Sequence, residues 1–228
     1  MFRKYGLLGI LLIVFVEINF FLKIEPFAQW YFPLVWFGYI LVIDALIYKL
    51  KHSSIISNRF SEFIGMIVVS AAFWWIFEFI NGVVKNWDYQ NISFYFTPEL
   101  ANLMATISFA TVIPAVMETA ELFRTIHLFD HATLKKKHNI SKRFLHTMME
   151  LSVVALVLPF FLPAFTYPLV WLSFFLLLDP INYLHKQPSI IGHLKDRRLA
   201  IPLALLLASD VCGFLWEIWN YWAVVKWT

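Results

Sequence analysis

Residues Phe63–Val84 read FIGMIVVSAAFWWIFEFINGVV, 22 positions with a single ionisable side chain, Glu78. A helix needs about 20 mostly apolar residues to cross the hydrocarbon core of a bilayer, and this stretch supplies them. Hydrocarbon offers no partner to free backbone groups, so a helix is the spanning form that one segment can satisfy alone. Six further stretches share this character: Tyr5–Phe21, Ala28–Tyr48, Ala101–Leu122, Met148–Phe165, Pro168–Tyr183 and Leu199–Val224. The alternating ten-residue segments of a membrane β-barrel are missing. The expected fold is an all-α polytopic membrane protein with seven transmembrane helices. Composition agrees, since 61% of the 228 residues are hydrophobic and 14% charged, against about 45–50% and 25% in soluble domains. The single cysteine, Cys212, excludes an internal disulfide. Seven glycines are few, so glycine-zipper helix packing is not expected to dominate.

Basic residues set the expected orientation. With the N-terminus inside, Arg3, Lys4, Lys49, Lys51, Arg59, Arg124, Lys135–Lys137, Lys142, Arg143, Lys186, Lys195, Arg197 and Arg198 fall on the cytoplasmic side. Only Lys23, Lys85 and Lys226 fall opposite, as the positive-inside rule requires, which puts the C-terminus outside. The first span follows Arg3-Lys4 like a secretion signal. No small-residue cleavage site succeeds it and Glu17 interrupts it, so it reads as a retained helix.

The chain also repeats itself. Pro33-Leu34-Val35-Trp36 returns as Pro168-Leu169-Val170-Trp171, and at the same offset Asp44 matches Asp179, Lys51 matches Lys186, and Ser54-Ile55-Ile56 matches Ser189-Ile190-Ile191. Four residues later in register, Glu78 and Asn81 match Glu217 and Asn220. The expected organisation is a first four-helix repeat over 1–130, a basic loop over 131–147 and an incomplete second repeat of three helices over 148–228. The two copies would be parallel, with the eighth span missing. The chain stops where the first copy continues into Asp88-Tyr89-Gln90-Asn91, as expected of a fragment.

The carboxylates of the spans have no Lys or Arg deep among them: Glu17, Asp44, Glu78, Glu118, Asp179, Asp210 and Glu217 lie within, and Glu121 and Glu150 near the inner surface. Such groups are costly in a membrane and are functional suspects. Trp74, Glu78, Asn81 and Lys85 share one helix face, as do Asp210, Gly213, Glu217 and Asn220. Both stripes are expected to face a common pseudo-two-fold axis, where Glu78 and Glu217 would approach each other. A close pair of carboxyls can share and deliver a proton, or bind a cation. The plainer reading of each Glu-x-x-Asn is an interhelical hydrogen-bonded lock. Asp44 and Asp179 are secondary acidic candidates whose plainer reading is an interfacial ion pair with Lys49, Lys51 or Lys186. Glu118, beyond Pro114, is a third; Glu121 is expected to pair at the surface. Asp210 has no counterpart in the first copy.

All ten tryptophans fall at mid-membrane or in the outer half, which suggests an aromatic-walled cavity lined by Trp74, Trp75, Trp216, Trp36 and Trp171. All seven histidines fall inside; His127 and His131 have the i, i+4 spacing of zinc ligands without a supporting core. The clusters Lys135–Lys137 and Lys195–Arg198 suit anionic lipid headgroups and call for no nucleic acid. No phosphate-cradling loop, dinucleotide fingerprint or nucleophile elbow is present, and no cofactor or metal is called for.

Three functions compete. The first is an integral membrane enzyme acting on a lipid or isoprenoid by proton-driven isomerisation or cyclisation. Glu78 or Glu217 would be the acid, oriented by Asn81 and Asn220. Repeated spans carrying carboxylates among aromatics are loosely similar, in style, to membrane-bound lycopene and terpene cyclases. Ile113-Pro114-Ala115-Val116-Met117-Glu118 departs from the Pro-x-Glu-Glu type of signature that lycopene cyclases imply, and no family is assigned. The second is a small proton- or cation-coupled secondary transporter. The third is a non-catalytic membrane subunit whose carboxylates dock a partner. The topology is open to test in a Cys212→Ala background. Single cysteines at 90 and 228 should react with an impermeant thiol reagent applied from outside, and cysteines at 136 and 196 only after permeabilisation.

Overall fold

Long apolar runs separated by polar or proline-containing breaks fold as helices throughout the computed structural model, which describes residues 1–137 and 139–228. His138, one of the histidines expected on the inner side, lies outside the described residues. The elements are α1 (Lys4–Leu22), α2 (Tyr31–Lys51), α3 (Ile55–Asn58), α4 (Phe60–Val84), β1 (Tyr89–Gln90), α5 (Ile92–Tyr95), α6 (Pro98–Phe109), α7 (Val112–Thr125), α8 (Lys142–Val157), α9 (Pro163–Thr166), α10 (Leu169–Leu184), α11 (Ile190–Lys195), α12 (Ala200–Trp222) and β2 (Lys226–Trp227). Among the described residues the protein is all-α apart from one two-residue ribbon and the isolated Thr133–Arg198 bridge.

Among the described residues six helical segments are long and apolar enough to cross a membrane: α1, α2, α4, the α6–α7 pair over Pro98–Thr125, Lys142–Phe160 and α12. The seventh expected span, α10, has 16 residues. At 1.5 Å per residue it reaches about 24 Å, less than the roughly 30 Å hydrocarbon core.

The chain divides into two compact units. One holds Met1–Glu78, Trp87–Leu128 and Ala204–Thr228; the other holds Phe79–Asn86 and Phe129–Leu203. In the first unit α1 packs along α2, and α2 packs on α7. The α1–α2 crossing depends on glycine. A Cβ on Gly9 would stand 2.6 Å from the Gly38 carbonyl oxygen, and one on Gly38 would stand 3.0 Å from that of Gly9. Gly6 likewise sits against Ala45. Glycine is thus scarce along the chain but decisive at this one crossing, where small residues let two backbones meet. The core around it gathers Val16, Tyr31, Val35, Trp36, Ala115, Cys212 and Trp219. In the second unit α8 packs along α10.

The fourth expected span is broken. Pro114 has no N–H, so the Ala110 carbonyl loses its helical donor, and the helix parts at Ala110–Thr111 into α6 and α7. Ser70 of α4 enters the gap. Its hydroxyl donates to the Phe109 carbonyl at 2.5 Å and accepts from the Ile113 N–H at 3.0 Å, the two groups that an unbroken helix would bond directly. Thr111 donates to the Ser108 carbonyl at 2.6 Å.

Two substitutions test this packing by thermal unfolding in detergent. Gly9→Ala should cost about 1–3 kcal/mol, because a backbone oxygen cannot yield to the new methyl group. Ser70→Ala strands a buried carbonyl and a part-buried N–H and should cost about 1–3 kcal/mol.

Candidate functional site

The secondary acids are placed by local structure. Asp44 is 0% exposed. Its Oδ2 accepts from the Tyr5 hydroxyl and, at 2.8 Å, from the Ser54 hydroxyl; its Oδ1 accepts from the Ile56 N–H at 3.0 Å. Ser54 in turn caps α3 by accepting from the Ser57 N–H. The second unit contains a related construction in which, among the described residues, backbone donors alone meet the aspartate. Asp179 accepts from the Ile190 and Ile191 N–H groups at 2.6 and 2.9 Å, and Ser189 caps α11 by accepting from Gly192 at 3.0 Å. Both aspartates therefore seal the N-terminus of a short helix, where a negative charge is favoured. The expected ion pairs with Lys49, Lys51 and Lys186 are corrected: hydroxyls and backbone N–H groups take the carboxylates instead. Lys51 pairs with Glu121, which also accepts from Arg124 at 2.8 Å.

Ser70, Trp74 and Glu78 recur every four residues, so one face of α4 carries all three. Glu78 is half-buried. Its carboxyl accepts from the Tyr89 hydroxyl, with the Trp74 and Trp87 side chains as further hydrogen-bonding neighbours. Tyr89 is held in place by the ribbon, in which it pairs with Trp227 while Asp88 and Thr228 exchange backbone hydrogen bonds. Trp74 lies 6.1 Å from Trp216, centroid to centroid, and Trp216 lies 5.3 Å from Trp36. Trp36 meets Trp219 edge-on at 4.8 Å. Trp75 joins through Phe109 at 5.4 Å and donates its indole N–H to the Thr106 hydroxyl. Four of the five expected aromatics thus belong to one connected group. Trp171 is in the other unit, on α10, and is exposed.

No protein-family profile, no curated protein and no solved structure matches this chain. Its chemistry is read from its own residues.

Glu217 does not meet Glu78. The buried face of α12 runs through Ala204, Ala208, Cys212 and Trp219. At 100° per residue, Asp210 and Glu217 project about 140–160° away from Cys212. Both are exposed, and neither has a hydrogen bond or ion pair among the described residues. Asn220 is buried and bonds the Trp227 backbone at both its N–H and its carbonyl, 2.9 Å each. Asn81 accepts from the Asn86 N–H at 2.9 Å. Both asparagines thus tie down the chain that leaves their helix. Glu118 is 3% exposed, and its Oε2 lacks a hydrogen-bond partner among the described residues.

Glu17, a suspect from its position in a span, takes part together with several groups that the sequence does not single out. Glu17 accepts from the Tyr31 hydroxyl at 3.2 Å and from the Trp219 indole at 3.0 Å. Tyr39 bonds the Thr119 hydroxyl at 2.7 Å, and Thr119 lies 3.6 Å from the Cys212 sulfur. Tyr5, Tyr31, Tyr39 and Tyr89 are the donors that the acids and Thr119 need. No motif announces them, since each bonds a side chain on a different element of the fold. His127 and His131 follow the end of α7, so the helical spacing that would aim both at one metal is not formed.

The aromatic group is tested by truncation. Trp36, 0% exposed, should cost about 3–5 kcal/mol as Trp36→Ala. Trp171→Ala, at an exposed position, should cost less than about 1 kcal/mol. Thermal unfolding of the two variants in one detergent measures the contrast.

Proposed function

We propose that this chain is an integral membrane enzyme acting on a hydrophobic lipid or isoprenoid by carboxyl acid–base chemistry, with Glu78 as the acid. The observation that carries this reading is the setting of Glu78. Uncharged donors on Tyr89, Trp74 and Trp87 surround its carboxyl, and Trp74 leads through Trp216 to Trp36 in a run of aromatic rings. The chemistry suited to such a site is protonation of a carbon–carbon double bond. The O–H bond of the Glu78 carboxyl breaks, a C–H bond forms, and positive charge is left on the adjacent carbon. The donors steady the carboxylate that remains. Aromatic faces attract the cation, more strongly where water is excluded. Return of a proton from a neighbouring carbon to Glu78 gives an isomerised or cyclised product and restores the acid, with no cofactor consumed.

A second reading rests on α12. Asp210 and Glu217 are exposed on a helix long and apolar enough to cross a membrane. A polar stripe on a spanning helix faces protein or water, not lipid. A partner helix carrying donors against these two acids would make the chain a membrane subunit.

One comparison separates the two. Membranes carrying equal amounts of folded wild type, Glu78→Gln or the pair Asp210→Asn and Glu217→Gln are extracted, and their lipids and isoprenoids are profiled by mass spectrometry. The enzyme reading expects product to fall at least about 100-fold in Glu78→Gln, the usual worth of a general acid, and to persist in the pair. An unchanged profile in Glu78→Gln overturns it. Loss of a co-purifying chain in the pair alone puts the subunit reading in its place.

A further inference from the structure

The two basic segments are distant in sequence but joined within the second unit. Thr133 and Arg198 form an antiparallel bridge. The Leu134 N–H donates to the Arg197 carbonyl at 3.1 Å, the Leu199 N–H donates to the Ala132 carbonyl at 3.1 Å, and the Arg197 Nε donates to the Leu134 carbonyl at 2.7 Å. This clamp sets Lys135, Lys136 and Lys137 beside Lys195, Arg197 and Arg198. Lys135–Lys137, Arg197 and Arg198 are all exposed. Within these segments Asp196 is the counter-charge, and Arg198 already engages it at 2.7 Å. The three lysines have no protein partner among the described residues. Lys142 and Arg143 add two further exposed cations at the start of α8.

The setting of this patch selects its ligand. α8 and α12 begin at its edge, and both belong to segments apolar enough to span a membrane. Directly beyond Arg143, α8 exposes Phe144, Leu151, Val153 and Val154. A ligand that is anionic at one end and apolar along its length matches cations followed by an exposed apolar helix flank. A free anion or a nucleic acid would use the first feature and leave the second idle. We propose that segments 133–137 and 195–198, clamped by the Thr133–Arg198 bridge, form a binding face for the headgroup of an anionic phospholipid, with its acyl chains along α8. This inference is independent of the chemistry assigned to Glu78.

The test uses the full chain in mixed micelles holding equal amounts of phosphatidylglycerol and phosphatidylcholine, with retained lipid counted by native mass spectrometry. Wild type should keep phosphatidylglycerol over phosphatidylcholine by about tenfold or more. Each of Lys135→Gln, Lys136→Gln and Lys137→Gln should lower that retention about fivefold, the worth of one surface cation near an anionic lipid. The preference should shrink in about 0.5 M salt, where surface charges are screened; this arm needs no variant. Equal retention of the two lipids, or unchanged retention after all three substitutions, overturns the proposal. Displacement of the lipid by millimolar inorganic phosphate also overturns it and assigns the patch to a free anion.

Discussion

The interior of a bilayer offers no hydrogen bond, and three acids of this protein are arranged around that prohibition. Asp44 meets two hydroxyls and a backbone N–H; Asp179 meets two backbone N–H groups; Glu17 meets a phenol and an indole. Among the described residues none of these three uses Lys or Arg. An uncharged donor satisfies a carboxylate without bringing a second charge out of water, and that second desolvation is what makes buried ion pairs expensive. Tyrosine and tryptophan suit the task because their bodies are apolar and only one end is polar. The high aromatic content is thus tied to the acids: the same side chains fill the core and quench its polar groups.

Helix α4 shows how one face can serve several ends. Ser70 mends the break between α6 and α7, Trp74 packs against Phe109 and Trp216, and Glu78 receives Tyr89. Because Phe109 ends α6, the repair at Ser70 also fixes the ring that touches Trp74 and Trp75. The proline break, the aromatic group and the acid are mechanically linked through a single helix, although Pro114 and Glu78 are 36 positions apart.

Much of this was legible in the amino-acid order. Length and apolarity mark the spanning helices, and helical spacing correctly puts Trp74 and Glu78 on one face. Asp44 and Asp179, matched in the sequence, each bond the N-terminus of the short helix that a serine caps, although Asp44 adds two hydroxyls and Asp179 a second backbone N–H. What stayed hidden depends on partners. Periodicity shows that Asp210 and Glu217 share a face, but not that the opposite face carries the small and aromatic residues of the core. Lys51 lies near Asp44 along the chain, yet it reaches across to Glu121, while Asp44 finds Tyr5 from α1. Glu17 and Trp219 are 202 positions apart, a separation that no local pattern spans. Glycine counting is silent on one contact for a related reason: the number is small, but Gly9 and Gly38 face each other.

That last encounter bears on how the chain enters the membrane. The helices it joins are consecutive, so their crossing can form once the first 51 residues have been made. Contacts between near neighbours close quickly because little chain entropy is lost. With backbone set against backbone, the first two helices make a stiff hairpin that can partition into lipid as one piece, a ready-made wall against which later segments are threaded.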